Sequence, residues 1–193
     1  MTIAIDIDNV IQGTTIAVLD YINDRLSDVN LKMEDITSYW IENFVPEQYK
    51  WIVPLSFTDS SMWKNVRLID GAARYIEKLY NDGYDIYFAT ATTPVNLKKK
   101  IKFLKRNLNL PNDYIANHMI NIKNKQLLRV DVLIDDFLGN LTGDKTYLSI
   151  CYDYPWNQTD NNRELDSQII RCEDWADIYD TITQHCSRLR GAL

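Results

Sequence analysis

Two short apolar runs of the chain each end in a pair of aspartates. The first run leads into Asp6 and Asp8, and the second, much further along, ends in Asp135 and Asp136. Because open α/β sheets bind ligands beyond the carboxyl ends of their strands, both pairs are expected at the same edge of a sheet. Several carboxylates crowded together need a positive partner, and hard oxygen ligands of this kind suit Mg²⁺. The pattern therefore indicates phosphoryl chemistry that depends on a divalent cation.

Either pair alone has a simpler explanation. An acidic pair after a strand is often only part of a solvated loop or the N-cap of a helix. Two pairs that follow separate strands are harder to explain in this way, since a parallel sheet would place them together. The joint occurrence of the pairs thus favours a metal site over two unrelated loops.

The composition is that of an ordered globular protein. The 193 residues, of which 46% are hydrophobic and 11% aromatic, suffice for one sizeable core and a modest insertion. The three cysteines are odd in number and lack the spacing of a metal site, so we interpret them as reduced structural thiols. No apolar run approaches the roughly 20 residues of a membrane span, and the first predicted strand leaves no room for a signal peptide. We therefore expect a cytoplasmic protein with no membrane contact.

The net charge of −6 limits the partners that the protein could bind. Extended nucleic-acid binding relies on a basic surface, so no nucleic acid polymer is expected as a partner, whereas a small phosphorylated ligand is compatible with this charge. Positive charge is concentrated in residues 98–106, where apolar residues recur at helical spacing between the lysines. We interpret this segment as a mostly solvated helix face.

The segment that follows the first predicted strand has a helical pattern. Apolar residues recur at three- and four-residue steps over residues 15–27, and shorter helical pieces are predicted over residues 34–39 and 46–53, the last ending before Pro54. No convincing strand falls in this part of the chain. The pattern predicts a small, mainly helical cap over residues 14–68.

Beyond the cap, predicted strands alternate with predicted helices. The strands are predicted at residues 3–5, 85–89, 118–122, 130–134 and 147–152, and the helices at residues 71–81, 98–106 and 173–186. Such alternation implies right-handed crossovers and a mostly parallel sheet. The predicted fold class is therefore α/β, with a core domain of residues 1–13 and 69–193 and a small helical cap inserted after the first strand.

Four short motifs follow one another along the chain. They are Asp6-Ile7-Asp8-Asn9-Val10, Thr92-Thr93-Pro94, Lys125 ten residues before Asp135, and Leu133-Ile134-Asp135-Asp136-Phe137. In this order they resemble the four motifs of the haloacid dehalogenase (HAD) superfamily. The helical insertion and the position of the lysine narrow the resemblance to the 5'(3')-deoxyribonucleotidases, and residues 35–40 and 152–157 are similar to segments of that family. The resemblance covers nearly the whole chain and implies a Rossmann-like HAD core.

The resemblance implies a catalytic role for four residues. Asp6 attacks phosphorus as the nucleophile and forms an aspartyl-phosphate, and Asp8 serves as the general acid/base. An acid at residue 8 favours hydrolysis over ATP-driven transport, because the superfamily's ATPases usually carry threonine there. Thr92 and Lys125 complete the catalytic set by offering a hydroxyl group and a positive charge to the phosphoryl oxygens. Alone, these two would be a turn residue and a surface lysine, so their assignment depends on their order and spacing with the aspartates.

The expected cofactor is Mg²⁺. Its predicted ligands are Asp6, the backbone carbonyl of Asp8, and Asp136, while Asp135 is expected to orient water or another ligand from outside the inner shell. Asn9 stands where the family usually has glycine, and asparagine accepts left-handed backbone geometry better than most residues. The loop after the first strand is therefore expected to keep its shape.

Substrate contacts are predicted from two places. Thr93 would offer a backbone N–H, and Lys123 stands where the family has arginine, so that it supplies charge without a bidentate fork. In the cap, Trp40, Phe44 and Trp63 are candidates for stacking on a base and packing against the sugar. Aromatic residues in a small helical insertion are more often its own core, and this alternative stays open.

The aspartate pairs and the resemblance together imply a Mg²⁺-dependent phosphatase, which the resemblance extends to hydrolysis of deoxyribonucleoside monophosphates, dUMP or dTMP foremost, through an aspartyl-phosphate. The expected partner is this small-molecule nucleotide, and a homodimer is left open as the assembly. Two alternatives are a HAD phosphatase for another small phosphoester, such as a sugar phosphate, and a non-catalytic protein that binds a phospho-ligand. Asp8 argues against the latter, because a mere binder has no use for an acid/base.

Overall fold

Six parallel strands form the central sheet in the computed structural model, which describes residues 1–142, 147–158 and 169–191. In chain order they are β1 (Thr2–Asp6), β2 (Asp85–Thr90), β3 (Met119–Asn121), β4 (Val132–Asp135), β5 (Leu148–Tyr152) and β6 (Ile169–Cys172). Their order across the sheet is β3-β2-β1-β4-β5-β6. The predicted α/β class with a parallel sheet is confirmed.

The central strands β1 and β4 are buried, almost continuous apolar runs. Ile5 of β1 pairs with Phe88 of β2 on one side and with Ile134 of β4 on the other. A parallel strand that is covered on both faces is expected to be apolar throughout, rather than alternating. The strand order reverses beside β1, and sheets of this kind bind ligands at that point, beyond the carboxyl ends of the strands. Asp6 and Asp135 are the last residues of the two strands that meet there.

Helices connect the strands and flank the sheet. In the described chain they are α1 (Thr14–Asn23), α2 (Ile52–Thr58), α3 (Ser60–Asn65), α4 (Ala72–Asn81), α5 (Pro94–Asn107), α6 (Asn112–Asn117), α7 (Leu138–Leu141) and α8 (Trp175–Gly191). The first three lie in the long connection between β1 and β2, and α1 contacts both α2 and α3. None of these helices is long and apolar enough to cross a membrane, within the residues that the structure describes.

The two ends of the connection between β1 and β2 lie side by side and are hydrogen-bonded to each other. The backbone N–H of Gly13 donates to the carbonyl of Arg67 at 2.9 Å, and the N–H of Ile69 donates to the carbonyl of Ile11 at 2.9 Å. Between these two pairs, the segment contains helices and turns and no strand of the sheet. The segment is helical, as the sequence pattern predicts, while its division from the core as a separate cap of residues 14–68 stays a prediction.

Apolar residues of the cap pack into the same core as the sheet. Ile52 of α2 and Met62 of α3 are fully buried in one cluster with Ile7 and Ile11, which follow β1. Full burial of an apolar side chain of this size contributes about 1.5–3 kcal/mol to the free energy of folding. The cap is therefore packed against the segment that follows β1, and Thr14 at its start donates a hydrogen bond to Asp8 in that segment.

Two features of the fold differ from the sequence-based prediction. The helical pieces expected over residues 34–39 and 46–53 are instead short 3-10 turns, and α2 begins at Ile52 and continues through Pro54. Proline is tolerated there because the first turn of a helix needs no intrahelical N–H donor. The sequence pattern also fails to predict β6, a strand of only four residues in which Ile170 is exposed.

Candidate active site

Three of the four predicted aspartates lie together at the carboxyl edge of the sheet. Oxygen atoms of Asp6, Asp135 and Asp136 lie within 4.8 Å of one another, and all three side chains are buried. They converge because β1 and β4 are hydrogen-bonded neighbours that end at the same level. Three buried carboxylates in one place require positive charge nearby.

Lys125 supplies part of that charge from inside the cluster. Its Nζ atom lies 2.6 Å from Oδ1 of Asp6 and 2.7 Å from Oδ2 of Asp135, and the side chain is buried in the 3-10 turn Lys125–Leu127. Burial acts to lower the pKa of Lys125, but the charges of Asp6 and Asp135 outweigh it and raise the pKa above the usual range. Lys125 is therefore a permanent cation that connects the ends of β1 and β4.

The remaining negative charge of the cluster is not neutralised by Lys125. Burial, followed by the charges of Asp135 and Asp8, raises the pKa of Asp6 to about 7 although Lys125 opposes it. Burial and the charges of Asp6 and Asp135 likewise raise the pKa of Asp136 well above its ordinary value. An additional cation would relieve this excess, and carboxylate oxygens are the hard donors that Mg²⁺ prefers. The donor set thus fits a divalent metal ion.

Asp136 is held by residues from two other parts of the chain. Its Oδ2 atom accepts hydrogen bonds from Nδ2 of Asn9 at 3.0 Å and from Nε1 of Trp156 at 3.2 Å, and Nδ2 of Asn157 donates to its backbone carbonyl at 2.9 Å. Asn9 adopts a φ of 55°, the left-handed geometry expected for it, and its Oδ1 accepts from the N–H of Thr15. These contacts fix the direction in which the Asp136 carboxylate points.

Asp135 has its oxygens engaged by the protein itself. Oδ1 accepts from the backbone N–H of Phe137 at 2.9 Å, and Oδ2 accepts from Nδ2 of Asn140 at 2.9 Å in addition to Lys125. A carboxylate with this many donors is better suited to orienting its neighbours than to binding a metal directly.

Asp8 lies apart from the cluster, in a separate hydrogen-bond network. Its Oδ1 accepts from the hydroxyl of Thr14 at 2.6 Å and from Nε2 of Gln12 at 3.0 Å, and its Oδ2 pairs with Lys100. The Nζ atom of Lys100 also donates to the hydroxyl of Thr90 at 2.7 Å. Burial acts to raise the pKa of Asp8, but the charge and hydrogen bond of Lys100, with help from the other donors, hold it below its usual range. Asp8 is therefore a fixed, ionised carboxylate.

The interpretation of the lysine-rich segment is wrong for Lys100. Lys98, Lys102 and Arg106 are exposed, whereas Lys100 is only 2% exposed. The inward face of α5 consists of Asn96, Lys100, Phe103 and Leu104, a spacing of four and three residues that places them on one stripe. A buried lysine needs a carboxylate partner, and Asp8 provides it.

The Thr92-Thr93-Pro94 motif forms the entry to α5. Nδ2 of Asn121, at the end of β3, donates to the carbonyl of Thr92 at 3.0 Å, and the N–H of Thr92 donates to its Oδ1 at 3.0 Å. The hydroxyl of Thr93 caps α5 by accepting from the N–H of Asn96 at 3.4 Å. Both threonines line the cleft beside Asp8. The structure does not bring Lys123 to this cleft, since its side chain is exposed and forms no ion pair in the described parts of the chain.

The cleft beside Asp8 comprises two adjoining pockets under the cap. One, of about 280 Å³, is lined by Tyr39 and Trp40 of the cap and by Trp156. The other, of about 240 Å³, is lined by Trp63 together with the threonine motif. Both include Asp8, so a ligand in either pocket would lie next to the proposed acid/base.

The three cap aromatics predicted from the sequence have different surroundings. Trp40 is 57% exposed and lines the larger pocket, and Trp63 lines the smaller one while its Nε1 donates to the carbonyl of Phe57 at 2.9 Å. Phe44 packs against the hydrophobic core and is not among the residues that line either pocket.

Sequence reasoning missed Tyr39, Trp156 and Lys100. The ring of Tyr39 packs against Phe137, directly after the second aspartate pair, with centroids 4.3 Å apart. Trp156 and Tyr39 fall within the two segments that resemble the deoxyribonucleotidases, so that resemblance was their only signal. The helical spacing of Lys100 from Phe103 and Leu104 is compatible with an inward position, but the pattern alone does not determine which side of α5 faces the core.

The sequence of the chain is similar to those of known nucleotidases. Residues 1–188 match a model of the family described as 5' nucleotidase, deoxy (pyrimidine), cytosolic type C protein. The 5'(3')-deoxyribonucleotidase of Bacillus subtilis (strain 168) is 27% identical over 179 residues, which are 91% of this chain and 95% of that protein.

Solved structures of similar fold are HAD hydrolases. A HAD family hydrolase from Deinococcus radiodurans R1, solved with bound phosphate and sodium, superposes with a TM-score of 0.60 at 15% identity and covers 95% of both chains. A hydrolase from Pseudomonas syringae has a TM-score of 0.60 at 12% identity, with coverage of 95% of this chain and 98% of that one. At such low identity, these structures show that the fold is shared.

Proposed function

The chain belongs to the family of 5' nucleotidase, deoxy (pyrimidine), cytosolic type C proteins and is a phosphatase-type nucleotidase that acts on phosphomonoesters, and on this premise we propose that it hydrolyses deoxyribonucleoside monophosphates through an aspartyl-phosphate on Asp6. The favoured substrates are dUMP and dTMP, in keeping with the pyrimidine of the family description. The proposed cofactor is Mg²⁺.

The main observation in support of this proposal is the contact of Lys125 with both Asp6 and Asp135. Phosphate monoesters hydrolyse extremely slowly unaided, so an enzyme must hold a nucleophile in line with the phosphorus atom and neutralise the phosphoryl oxygens. Lys125 holds one oxygen of Asp6 at 2.6 Å and supplies a fixed positive charge at the same place. A carboxylate oriented in this way is suited to attack phosphorus.

Asp6, Asp136 and the backbone carbonyl of Asp8 would hold the metal ion, with Asp135 keeping Lys125 and the loop after β4 in position. When bound, Mg²⁺ supplies positive charge that stabilises the phosphoryl oxygens during transfer. The hydrogen bonds from Asn9 and Trp156 orient Asp136 for this purpose.

Asp8 is the proposed general acid/base. It lies in the cleft on the loop that follows the nucleophile, and it would protonate the leaving nucleoside oxygen and later take a proton from the attacking water. Its network with Thr14, Gln12 and Lys100 fixes the side chain at the start of the cap. Because Asp8 is ionised while it is paired with Lys100, it must first take up a proton from solvent, which weakens the ion pair, and it then passes this proton to the leaving oxygen.

Thr92 and Thr93 are the proposed binding residues for the phosphoryl group. They lie at the N-terminus of α5, whose first N–H groups and dipole favour an anion, and they line the pocket that contains Asp8. The Thr93 hydroxyl already caps the helix, so its proposed contact with substrate is through the backbone. Thr92 would offer its hydroxyl group to the phosphoryl oxygens. Lys123 is proposed to contact the substrate only from the solvent-exposed side of the cleft.

The cap is proposed to bind the nucleoside and exclude water. Trp40 and Trp63 line the two pockets beside Asp8, and an aromatic face can stack on any base. Apolar residues of the cap, Ile36, Ile41 and Val53, form one side of the larger pocket, whose lining also includes the polar residues Glu42, Thr14 and Thr15. An apolar wall would leave a 2'-hydroxyl without a partner and so favour deoxyribose.

Phosphate release from a panel of substrates tests the proposal. The purified chain with Mg²⁺ is assayed on deoxyribonucleotides and ribonucleotides, each as 5'- and 3'-monophosphate, and on sugar phosphates. We expect the highest kcat/KM for dUMP or dTMP and none above background for Asp6→Asn. A higher kcat/KM for sugar phosphates would overturn the substrate assignment while leaving the phosphatase mechanism intact.

A further inference from the structure

Another pocket lies between α3 of the cap and α5 of the core. It has a volume of about 260 Å³, and its lining residues are Ser60, Trp63, Lys64, Lys99, Lys102, Phe103 and Arg106. Four of these seven residues are cations and none is an acid. We refer to this site as the basic pocket. It shares Trp63 with the cleft that contains Asp8, but none of the proposed catalytic or metal-binding residues lines it.

The cations of the basic pocket have no acidic partners. Throughout the described residues, no carboxylate oxygen lies within 4.0 Å of Lys64, Lys99, Lys102 or Arg106. The last three are spaced three and four residues apart on α5, so they lie on the same helix face and repel one another. Although the net charge of the chain is −6, these four cations make a local positive field that attracts anions.

Two aromatic rings complete the chemistry of the pocket. The Nζ atom of Lys99 lies 4.9 Å from the centroid of the Trp63 ring, and Cζ of Arg106 lies 5.8 Å from that of Phe103. Each ring attracts the cation that lies over it. Aromatic rings at this site can also contact a nucleobase. Lysine and arginine are the residues that bind phosphate groups, by point charge and by a forked set of donors.

The charge of the pocket favours an oligophosphate over a monophosphate. Each phosphate monoester carries roughly two negative charges near neutral pH, which would leave half of the four cations uncompensated. A triphosphate chain brings about twice as many charges and so matches the four cations. No carboxylate among the lining residues would oppose it.

We propose that the basic pocket binds an oligophosphate anion of the kind found in nucleoside triphosphates, held by Lys64 of the cap and by Lys99, Lys102 and Arg106 of α5. This binding site goes beyond the proposed hydrolytic function, because it is separate from the carboxylates and does not depend on which monophosphate is the substrate. Since Trp63 lines both sites, an occupant of the basic pocket contacts one wall of the catalytic cleft.

Isothermal titration calorimetry of the full chain tests the proposal. The probes are dTTP and inorganic tripolyphosphate, in EDTA so that the carboxylate cluster holds no metal–phosphate complex. Wild type is compared with Lys102→Glu and Arg106→Glu, and with Lys98→Glu as a matched control that makes the same charge change at an exposed position of α5 outside the pocket. Circular dichroism and thermal melting show which variants are folded. If only one of the two pocket variants folds, that variant alone is enough for the comparison.

We expect wild type and Lys98→Glu to bind dTTP with equal Kd, and a folded pocket variant to bind at least ten-fold more weakly. Equal affinity for tripolyphosphate and dTTP would mean that the phosphate chain alone is recognised, and weaker binding of tripolyphosphate would assign a contact to the nucleoside; both results support the proposal. A Kd for dTTP that is the same in all four proteins, or no binding of either probe at millimolar concentration, would overturn it. The calorimetry measures binding and does not depend on phosphatase activity. The hydrolytic proposal and the binding proposal can therefore fail independently of each other.

Discussion

Lys100 and Asp8 form an ion pair, buried on the lysine side and partly exposed on the aspartate side, that joins helix α5 to the loop after β1. The pair connects the proposed acid/base to the element that begins with the threonine motif, and Thr90 at the end of β2 accepts a hydrogen bond from the same ammonium group. Thr14 at the start of the cap holds the other oxygen of Asp8. Three elements that meet at the carboxyl edge of the sheet thus position one carboxylate, and its orientation depends on all of them.

Replacing Lys100 with methionine should reduce catalysis by misplacing Asp8. General acid–base catalysis contributes roughly 10²–10⁴-fold, and partial loss of its geometry predicts a fall in kcat of roughly 10-fold or more with a smaller change in KM. Steady-state kinetics on dTMP measure the effect, and Lys98→Met, on the exposed face of the same helix, is the control. Equal kinetics for both variants and wild type would show that the ion pair only stabilises the fold.

Asp6→Asn should abolish turnover. Asparagine keeps the shape of the side chain but removes the charge that attacks phosphorus, so we expect a loss of several orders of magnitude in kcat. Acid quenching of the wild-type reaction with radiolabelled substrate should trap a phosphoenzyme that the variant lacks. Near-normal turnover by folded Asp6→Asn would rule out the covalent mechanism.

Asp8→Asn should affect substrates according to their leaving group. A nucleoside oxygen needs a proton, so the first step with dTMP should slow by roughly 10²-fold or more, whereas p-nitrophenolate leaves without one and should be less affected. Burst rates from single-turnover experiments separate this step from hydrolysis of the phosphoenzyme. If both substrates lose the same factor in the burst, Asp8 is not the acid of the first step.

The proposed metal site predicts a dependence on Mg²⁺ that is sensitive to Asp136. EDTA should remove activity and added Mg²⁺ should restore it, because the cluster of Asp6, Asp135 and Asp136 has more negative charge than Lys125 offsets. Asp136→Ala should need a higher Mg²⁺ concentration for half-maximal activity. Asp113→Ala, which removes an exposed aspartate of α6, should leave the titration unchanged, and full activity of wild type in excess EDTA would contradict the site.

The sequence predicts the sheet and the meeting of the carboxylates for a clear physical reason. β1 and β4 are short apolar runs, which is the pattern of strands buried on both faces, and an aspartate at the end of each must reach the same edge when the strands are parallel neighbours. Local pattern and global fold agree at these positions, so Asp6 and Asp135 could be placed without a structure.

The network around those carboxylates depends on folding over long sequence distances. Trp156 reaches Asp136 from the loop after β5, and no local periodicity signals which side chain of that loop points inward. Lys100 is one of several lysines on α5, and the phase of the helix becomes clear only when Asn96 and Phe103 are seen to face the core. The cap was hardest to predict, since its path consists of short turns and of a helix that contains Pro54 in its first turn.

The surroundings of the cap aromatics predict that they differ in function. Trp40 is exposed at the larger pocket, and stacking on a base is worth about 1–3 kcal/mol, so Trp40→Ala should raise KM for dTMP by roughly 10-fold and barely change the KM for p-nitrophenyl phosphate. Trp63→Ala should act in the same direction from the smaller pocket.

Phe44→Ala serves as the matched control, because Phe44 packs against the core and lines neither pocket. It should lower the melting temperature and leave the ratio of kcat/KM for the two substrates unchanged. If Trp40→Ala and Trp63→Ala also leave that ratio unchanged in folded protein, these aromatics only stabilise the cap, and nucleotide preference has to be sought in other residues of the larger pocket, such as Tyr39 and Trp156.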